Sequence, residues 1–127
     1  MNKYPDVIGN ILNNHSVSSL FHVNIIDYSA GKIVLGLNAR APLFNGSLGC
    51  IVDCVARIAG QASVGDCVVS EYELNTHAQS SATEFMATGS IESFNSLNAI
   101  YSCEIYALEN SNYKPLAESQ GTLLKIN

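Results

Sequence analysis

Basic residues are scarce in this chain: six Lys and Arg among 127 residues, against eleven Asp and Glu, for a formal net charge of −5. The six are scattered, so no patch or stripe exists that would track a phosphate backbone, and no nucleic-acid partner is expected. Charge of either sign is sparse, at 13% of residues, which suits a chain that covers surface in a homo-oligomer. No apolar run approaches the ~18 residues of a membrane span, and Met1–Pro5 is not followed by the apolar core of a secretory signal. No membrane partner is therefore expected. The four cysteines, Cys50, Cys54, Cys67 and Cys103, include no CxxC pair and no partnering His motif, so no metal is expected. They read as reduced, mostly buried thiols of a cytoplasmic protein. The Gly-x-Ser-x-Gly elbow of serine hydrolases is missing, as are internal repeats, linkers and low-complexity segments. The length fits one domain, 1–127, able to bury a core without staples.

What is present is organised around one stretch, Asn45 to Ala62, which reads as a helix ending near Val64 and Gly65. Asn45 or Ser47 is placed to cap its start, and Pro42 lies just upstream. Leu48, Ile51, Val52, Val55, Ile58, Ala59 and Ala62 recur at three- and four-residue steps and predict one apolar face. Gly49, Ala56 and Gly60 fall on a second, narrow stripe with Asp53 in its middle. Glycine inside a helix costs up to about 1 kcal/mol relative to alanine, so two on one stripe suggest that something comes close to the backbone there. Asp53 has two readings at this point: a surface carboxylate paired with Arg57 four residues on, or a functional group in small, apolar company. The second reading predicts partial burial and a raised pKa.

The rest follows in chain order. Pro5 to Asn14 carries Val7, Ile8, Ile11 and Leu12 at helical spacing, and Ser16 to Ser19 reads as a connection. Phe21–Tyr28 and Lys32–Asn38 alternate as strands and predict a hairpin turning at Ser29–Gly31. After the helix, with Gly65 as its C-cap, come strands over Cys67–Thr76 (with an extension through Gln79–Ser81 open), Glu84–Ser93, Asn98–Leu108 and Pro115–Ile126. A single long helix has only the sheet to bury its apolar face on. The expected class is α+β, a curved antiparallel sheet wrapped around one central helix, with an uncovered apolar sheet face favouring dimerisation.

At Asn38–Asp53 the chain resembles the hotdog-fold thioesterases, most of all the phenylacetate-pathway and 4-hydroxybenzoyl-CoA-type acyl-CoA thioesterases. Their signature is Asn-x-x-Gly-x-x-His-Gly-Gly, then four residues, an apolar residue, one more, and Asp or Glu. Asn38, Gly46, Ile51 and Asp53 match it in type and spacing. Ala41, Phe44 and Asn45 depart from it, standing at a Gly, the His and a second Gly. The ending, with Leu116, Ala117, Gly121 and Thr122, also resembles the family's final strand.

The resemblance implies an acyl-CoA thioesterase acting on acyl-CoA or an acyl-carrier thioester, with no cofactor beyond the coenzyme A of the substrate. It implies a homo-oligomer, a dimer or a dimer of dimers, with the site shared across the dimer interface. Asp53 would be the base or nucleophile, and the backbone N–H groups around Asn45 and Gly46 the oxyanion donors. Asn38 of the other chain would bond the water or the thioester, and Ser70 would help to place the water. The alternative is a non-catalytic acyl-CoA-binding or regulatory module of the same fold, left open by Phe44. A hydratase on this fold would need a His at the helix loop, and His15, His22 and His77 lie elsewhere in the sequence. Phe44, Phe85 and Phe94 are the aromatic candidates for an acyl pocket.

Overall fold

Pro5 in extended conformation starts α1 (Asp6–Asn14), with Asp6 in the first turn, where a negative charge suits the helix dipole. The computed structural model describes residues 4–41 and 46–126. Ile8 and Leu12 of α1 are buried, with Val7 and Ile11 packed against the core. The Ser16–Ser19 connection contains a short helix of its own, α2 (Val17–Leu20). The Ser18 hydroxyl donates to the Leu12 carbonyl at 2.5 Å and that of Ser19 to the Ser16 carbonyl at 2.7 Å, local bonds of the kind serine offers at turns.

β1 (Phe21–Ser29) and β2 (Lys32–Ala39) form the expected hairpin, turning through Gly31 at φ +82°. Then follow α3 (Ser47–Val64), β3 (Cys67–Thr76), β4 (Glu84–Phe94), β5 (Asn98–Glu109) and β6 (Asn112–Lys125). The six strands make one antiparallel sheet in the order β1-β2-β4-β5-β6-β3. β3 therefore follows α3 in the chain yet joins the far edge, beside the last strand. β3 stops at Thr76, without the extension through Ser81. β6 starts three residues before Pro115. Asn110 (φ 51°) and Ser111 (φ 67°) make a tight left-handed turn, so Tyr113 and Lys114 already pair with Leu108 and Ala107. Pro115, which has no N–H for a ladder, sits where the β5–β6 register slips.

The sheet wraps α3. Ile51, Val52, Val55, Ile58 and Ala59 are buried as the periodicity predicts, but so are Cys54, Ala56 and Gly60. Burying an Ile or Val side chain is worth about 1.5–3 kcal/mol, which makes this helix the main anchor of the core. Ala62, expected on the apolar face, is exposed. Cys50, Asp53, Arg57 and Gln61 form a half-buried strip along the helix. α3 has the length and mean hydropathy, 1.2, of a membrane span, with 56% of it buried in the protein. Its small residues escape a search for long runs of large apolar ones. Gly65 closes it at φ +75°, its N–H bonded to the Gln61 carbonyl at 3.0 Å.

Two glycines set how closely helix and sheet approach. A Cβ on Gly89 of β4 would lie 2.9 Å from the Val55 carbonyl oxygen of α3. One on Gly60 would lie 2.6 Å from Leu123 Cδ1 and 3.2 Å from Cys67 Sγ. The close approach expected at Gly60 is thus real, but it is made by β6 and β3 rather than across an open surface. On the sheet's other face Val68, Ile100 and Leu124 are exposed together, Val68 lying opposite Leu124 and Ile100 opposite Thr122.

Candidate active site

Asp53 sits in the second turn of α3, on the strip the sheet leaves uncovered. Its side chain is 38% exposed. Arg57, one turn on, places Nη1 3.4 Å from Asp53 Oδ2, as the i, i+4 spacing predicts. A second donor reaches the same oxygen: His15 Nε2 lies 2.7 Å from Oδ2. His15 is 38 residues away in sequence, and its side chain is only 8% exposed. The turn at His15 and Ser16 between α1 and α2 brings it here. His15 is the C-cap of α1, its N–H bonded back to the Leu12 carbonyl, and the Val17 N–H at the start of α2 donates to His15 Nδ1 at 3.0 Å.

That last bond settles the ring's protons. A backbone N–H only donates, so Nδ1 must accept, and Nε2 carries the hydrogen that points at Asp53. Both donors converge on Oδ2. Oδ1 receives no bond from any described residue. Burial pushes the Asp53 carboxyl up, but the His15 hydrogen bond together with the Arg57 charge and hydrogen bond outweigh it, and its pKa lies below the ordinary value. The raised pKa expected from burial is therefore wrong in sign, because that expectation left out His15. Asp53 is ionised throughout the neutral range.

Cys50, one turn before Asp53, borders the same cluster. Its Sγ lies 4.0 Å from His15 Nδ1 and 3.4 Å from Ser16 Oγ. Beyond His15 and Arg57 a cavity of about 320 Å³ opens between α1 and the second half of α3, with Gln61, Asp66 and Cys67 on its far wall. Asp53 is not on its lining. No group of three or more His, Cys, Asp or Glu among the described residues is arranged to hold a metal ion.

The other sequence candidates fall as follows. Gly46 is the N-cap of α3 and is exposed, and its carbonyl accepts the Cys50 N–H at 3.1 Å. Asn45 and Phe44 lie outside the described residues. Asn38 is exposed near the end of β2, with no side-chain partner among the described residues and no bond to Asp53 of its own chain. Ser70 is exposed at the β3 bulge, where its hydroxyl donates to the Thr122 carbonyl at 3.2 Å; no contact joins it to Asp53. Of the aromatics, Phe85 is core, edge-on to Phe21 with ring centroids 6.2 Å apart, and Phe94 is 62% exposed. Neither shapes a pocket with Asp53. His77 is exposed beside Glu118 on the sheet, and Asp53 is not among its partners. The residue that sequence reasoning missed is His15. Setting it aside because it lies far from the helix in sequence fails, since the fold returns it to α3.

No family model matches the chain, and no curated protein matches it by sequence. Solved structures do. A thioesterase family protein from Silicibacter pomeroyi superposes with a TM-score of 0.84 at 14% identity, covering 94% of this chain and 96% of its own. The PaaI protein of the E. coli phenylacetic acid degradation operon does so at 0.81 and 17% identity, with 94% and 90% covered.

The chain has the hotdog fold.

A hypothetical thioesterase from Streptococcus pneumoniae, solved with coenzyme A, shares it at a TM-score of 0.79 and 12% identity, with 94% and 97% covered. Identities this low speak for the hotdog backbone alone. Within that hotdog frame, the Asp53–His15–Arg57 cluster is a property of this chain's own side chains.

Proposed function

We propose that the chain hydrolyses an acyl thioester of the acyl-CoA class to free acid and thiol. The observation that carries the reading is the asymmetric carboxylate of Asp53: Oδ2 is held by His15 and Arg57 while Oδ1 has no bond from the described residues. A carboxylate fixed by one oxygen and open at the other has the form needed to take a proton from water or to attack a carbonyl. Its lowered pKa keeps it ionised at neutral pH. The oxyanion donors in this reading are the N–H groups at the start of α3, around Gly46. These sit at the positive end of an 18-residue helix. Asn38 acts from a second copy of the chain, which gives a use to its exposed side chain.

One observation favours the second reading, an acyl-CoA-binding module without turnover. Asp53 does pair with Arg57, and it lies off the cavity that His15 and Arg57 border. The test is thiol release from short, long and aromatic acyl-CoAs, alongside binding of a non-hydrolysable analogue. Release that disappears in Asp53→Asn while binding persists supports hydrolysis. Binding without release by the parent across the whole panel moves the assignment to the module.

A further inference from the structure

The hydrolase reading leaves one side of Asp53 without a role. Gly49 and Cys50 both lie one helical turn before Asp53, and a helical side chain leans over the turn that precedes it. On the Cys50 side stand His15 and Ser16, with His15 Nδ1 4.0 Å and Ser16 Oγ 3.4 Å from the Cys50 sulfur. The Gly49 side is met by a different element. A Cβ on Gly49 would lie 3.5 Å from Oη of Tyr72, which belongs to β3. The carboxylate thus stands between an imidazole that holds Oδ2 and a strand that brings up a phenol.

Tyr72 faces α3 because of the bulge at Ser70. Side chains along a strand alternate between its two faces. Val68 is exposed on the outer face and Val69 packs against the core. Strict alternation from there would turn Glu71 inward and Tyr72 outward. The register shift between Val69 and Glu71 inserts one residue and reverses this. Tyr72 then shares an inner row with Gly121 and the fully buried Tyr101. Gly121 leaves room for both rings, since a Cβ there would lie 2.8 Å from Tyr72 Cβ and 2.7 Å from Tyr101 Cε2.

The two tyrosines differ in what their hydroxyls do. That of Tyr101 is buried and bonded to Ser119 Oγ at 3.1 Å. Tyr72 lies on the same face yet is 52% exposed, and its hydroxyl makes no hydrogen bond to any described residue. β3 is an edge strand. An inward-facing side chain that is half in water marks an open cleft between that edge and the first turns of α3.

We propose that Tyr72 is a side-chain oxyanion donor of the Asp53 site, its hydroxyl donating to the carbonyl oxygen of the thioester. The proposal rests on the hydrolase reading and adds a catalytic residue to it. Tyrosine hydroxyls serve in oxyanion holes beside backbone N–H groups. This hydroxyl lies on the side of Asp53 toward the start of α3, where the N–H groups around Gly46 and the positive helix end act on the same oxygen. It is unbonded before substrate arrives, so donation to the oxyanion breaks no bond within the described protein. In the step itself, water passes a proton to Asp53 Oδ1 while its oxygen bonds to the acyl carbon. The carbonyl oxygen gains the negative charge and accepts from Tyr72, whose proton stays on Oη. The carbonyl re-forms, the carbon–sulfur bond breaks, and the thiolate leaves with the proton from Asp53. One water is consumed, and one acid and one thiol are formed.

The test is Tyr72→Phe, which keeps the ring and removes only the hydroxyl. Thiol release from butyryl-CoA and benzoyl-CoA should show kcat lowered by about 10²-fold. KM should stay within about twofold of the parent, because the donor acts on charge that develops only in the transition state. The melting temperature should not move, since the hydroxyl has no partner in the folded protein. Tyr113→Phe, at an exposed tyrosine of β6, should match the parent in all three. Parent kcat in Tyr72→Phe, with Asp53→Asn still slowed, overturns the proposal and leaves the hydrolase reading standing. A raised KM at unchanged kcat also overturns it, because the hydroxyl then binds substrate and transition state alike. So does a fall in kcat that accompanies a lowered melting temperature, which would make the hydroxyl part of the fold. A parent that releases no thiol from any acyl-CoA overturns the hydrolase reading and the donor with it.

Discussion

Replacing Asp53 by Asn separates catalysis from stability. The amide keeps the shape of the carboxylate and can present its oxygen to His15 Nε2 where Oδ2 now sits at 2.7 Å. What it loses is charge. A hydrogen bond to a charged group contributes about 1.5–3 kcal/mol against about 1 for a neutral one, so the His15 contact weakens by roughly 1 kcal/mol. The Arg57 contact is longer, 3.4 Å, between side chains 35% and 38% exposed, and pairs of that kind contribute about 0–1 kcal/mol. The sum is about 1–2 kcal/mol, out of the roughly 5–15 typical of a folded domain, which leaves nearly all of the protein native. Loss of the base should lower hydrolysis by on the order of 10²-fold or more, equivalent to about 2.7 kcal/mol of barrier. Partial unfolding of that size cannot produce such a drop. The assay is thiol release under saturating acyl-CoA, with urea unfolding of the same preparations. Parent-like rates in a folded Asn variant would refute the assignment of Asp53 as the base.

Further outcomes are expected. Asp53, with its pKa depressed in the folded state, contributes stability that is present above the unfolded carboxylate value of about 3.9 and is lost as pH falls through the lower folded value; the urea midpoint of the parent should therefore drop more steeply than that of Asp53→Asn in this acid window. Gly89→Ala drives a methyl toward the Val55 carbonyl at 2.9 Å, and backbone cannot swing aside as a side chain can; overpacking of this kind costs about 1–3 kcal/mol, visible as a lower melting temperature. Gly46 has φ −78°, which proline accepts, so Gly46→Pro should fold, as circular dichroism can check, and should lower turnover more than substrate affinity by deleting one oxyanion donor; unchanged turnover would remove Gly46 from the site. Light scattering at micromolar concentration should give at least a dimer, and a monomer would argue against a site completed by Asn38 of a second chain.

The parts of this molecule that could be read in its sequence are those encoded locally. The 3.6-residue period of α3 survives because the helix is the core, and the alternation along Asn98–Leu108 survives because β5 is a central strand with one face on that helix. β6 begins at Asn112 rather than at the expected Pro115, because Asn110 and Ser111 complete the turn in two residues. The resemblance over Asn38–Asp53 singles out the Asp53 carboxylate. It could not give His15, because nothing around residue 53 encodes a partner 38 positions upstream. The local signal was at the other end: a His closing a helix, with Ser-Val-Ser after it, is placed to accept a backbone N–H and turn the chain. That turn aims the imidazole, and the sign of the Asp53 pKa shift follows from it.

The strand order imposes a schedule on synthesis. β3 leaves the ribosome directly after α3, yet its ladder partner is β6, which begins at Asn112. Until residues 112–125 emerge, the Cys67–Thr76 segment has no ladder to join, and the side of α3 that Leu123 covers at Gly60 stays open to water. β1, β2, β4 and β5 can assemble meanwhile, since each pairs with a strand already made. The nascent chain therefore carries an exposed helix flank and a waiting edge strand through the translation of some 35 residues. At about 5–20 residues per second that interval lasts seconds, long enough for a chaperone to find it or for a neighbouring nascent chain to supply the missing strand.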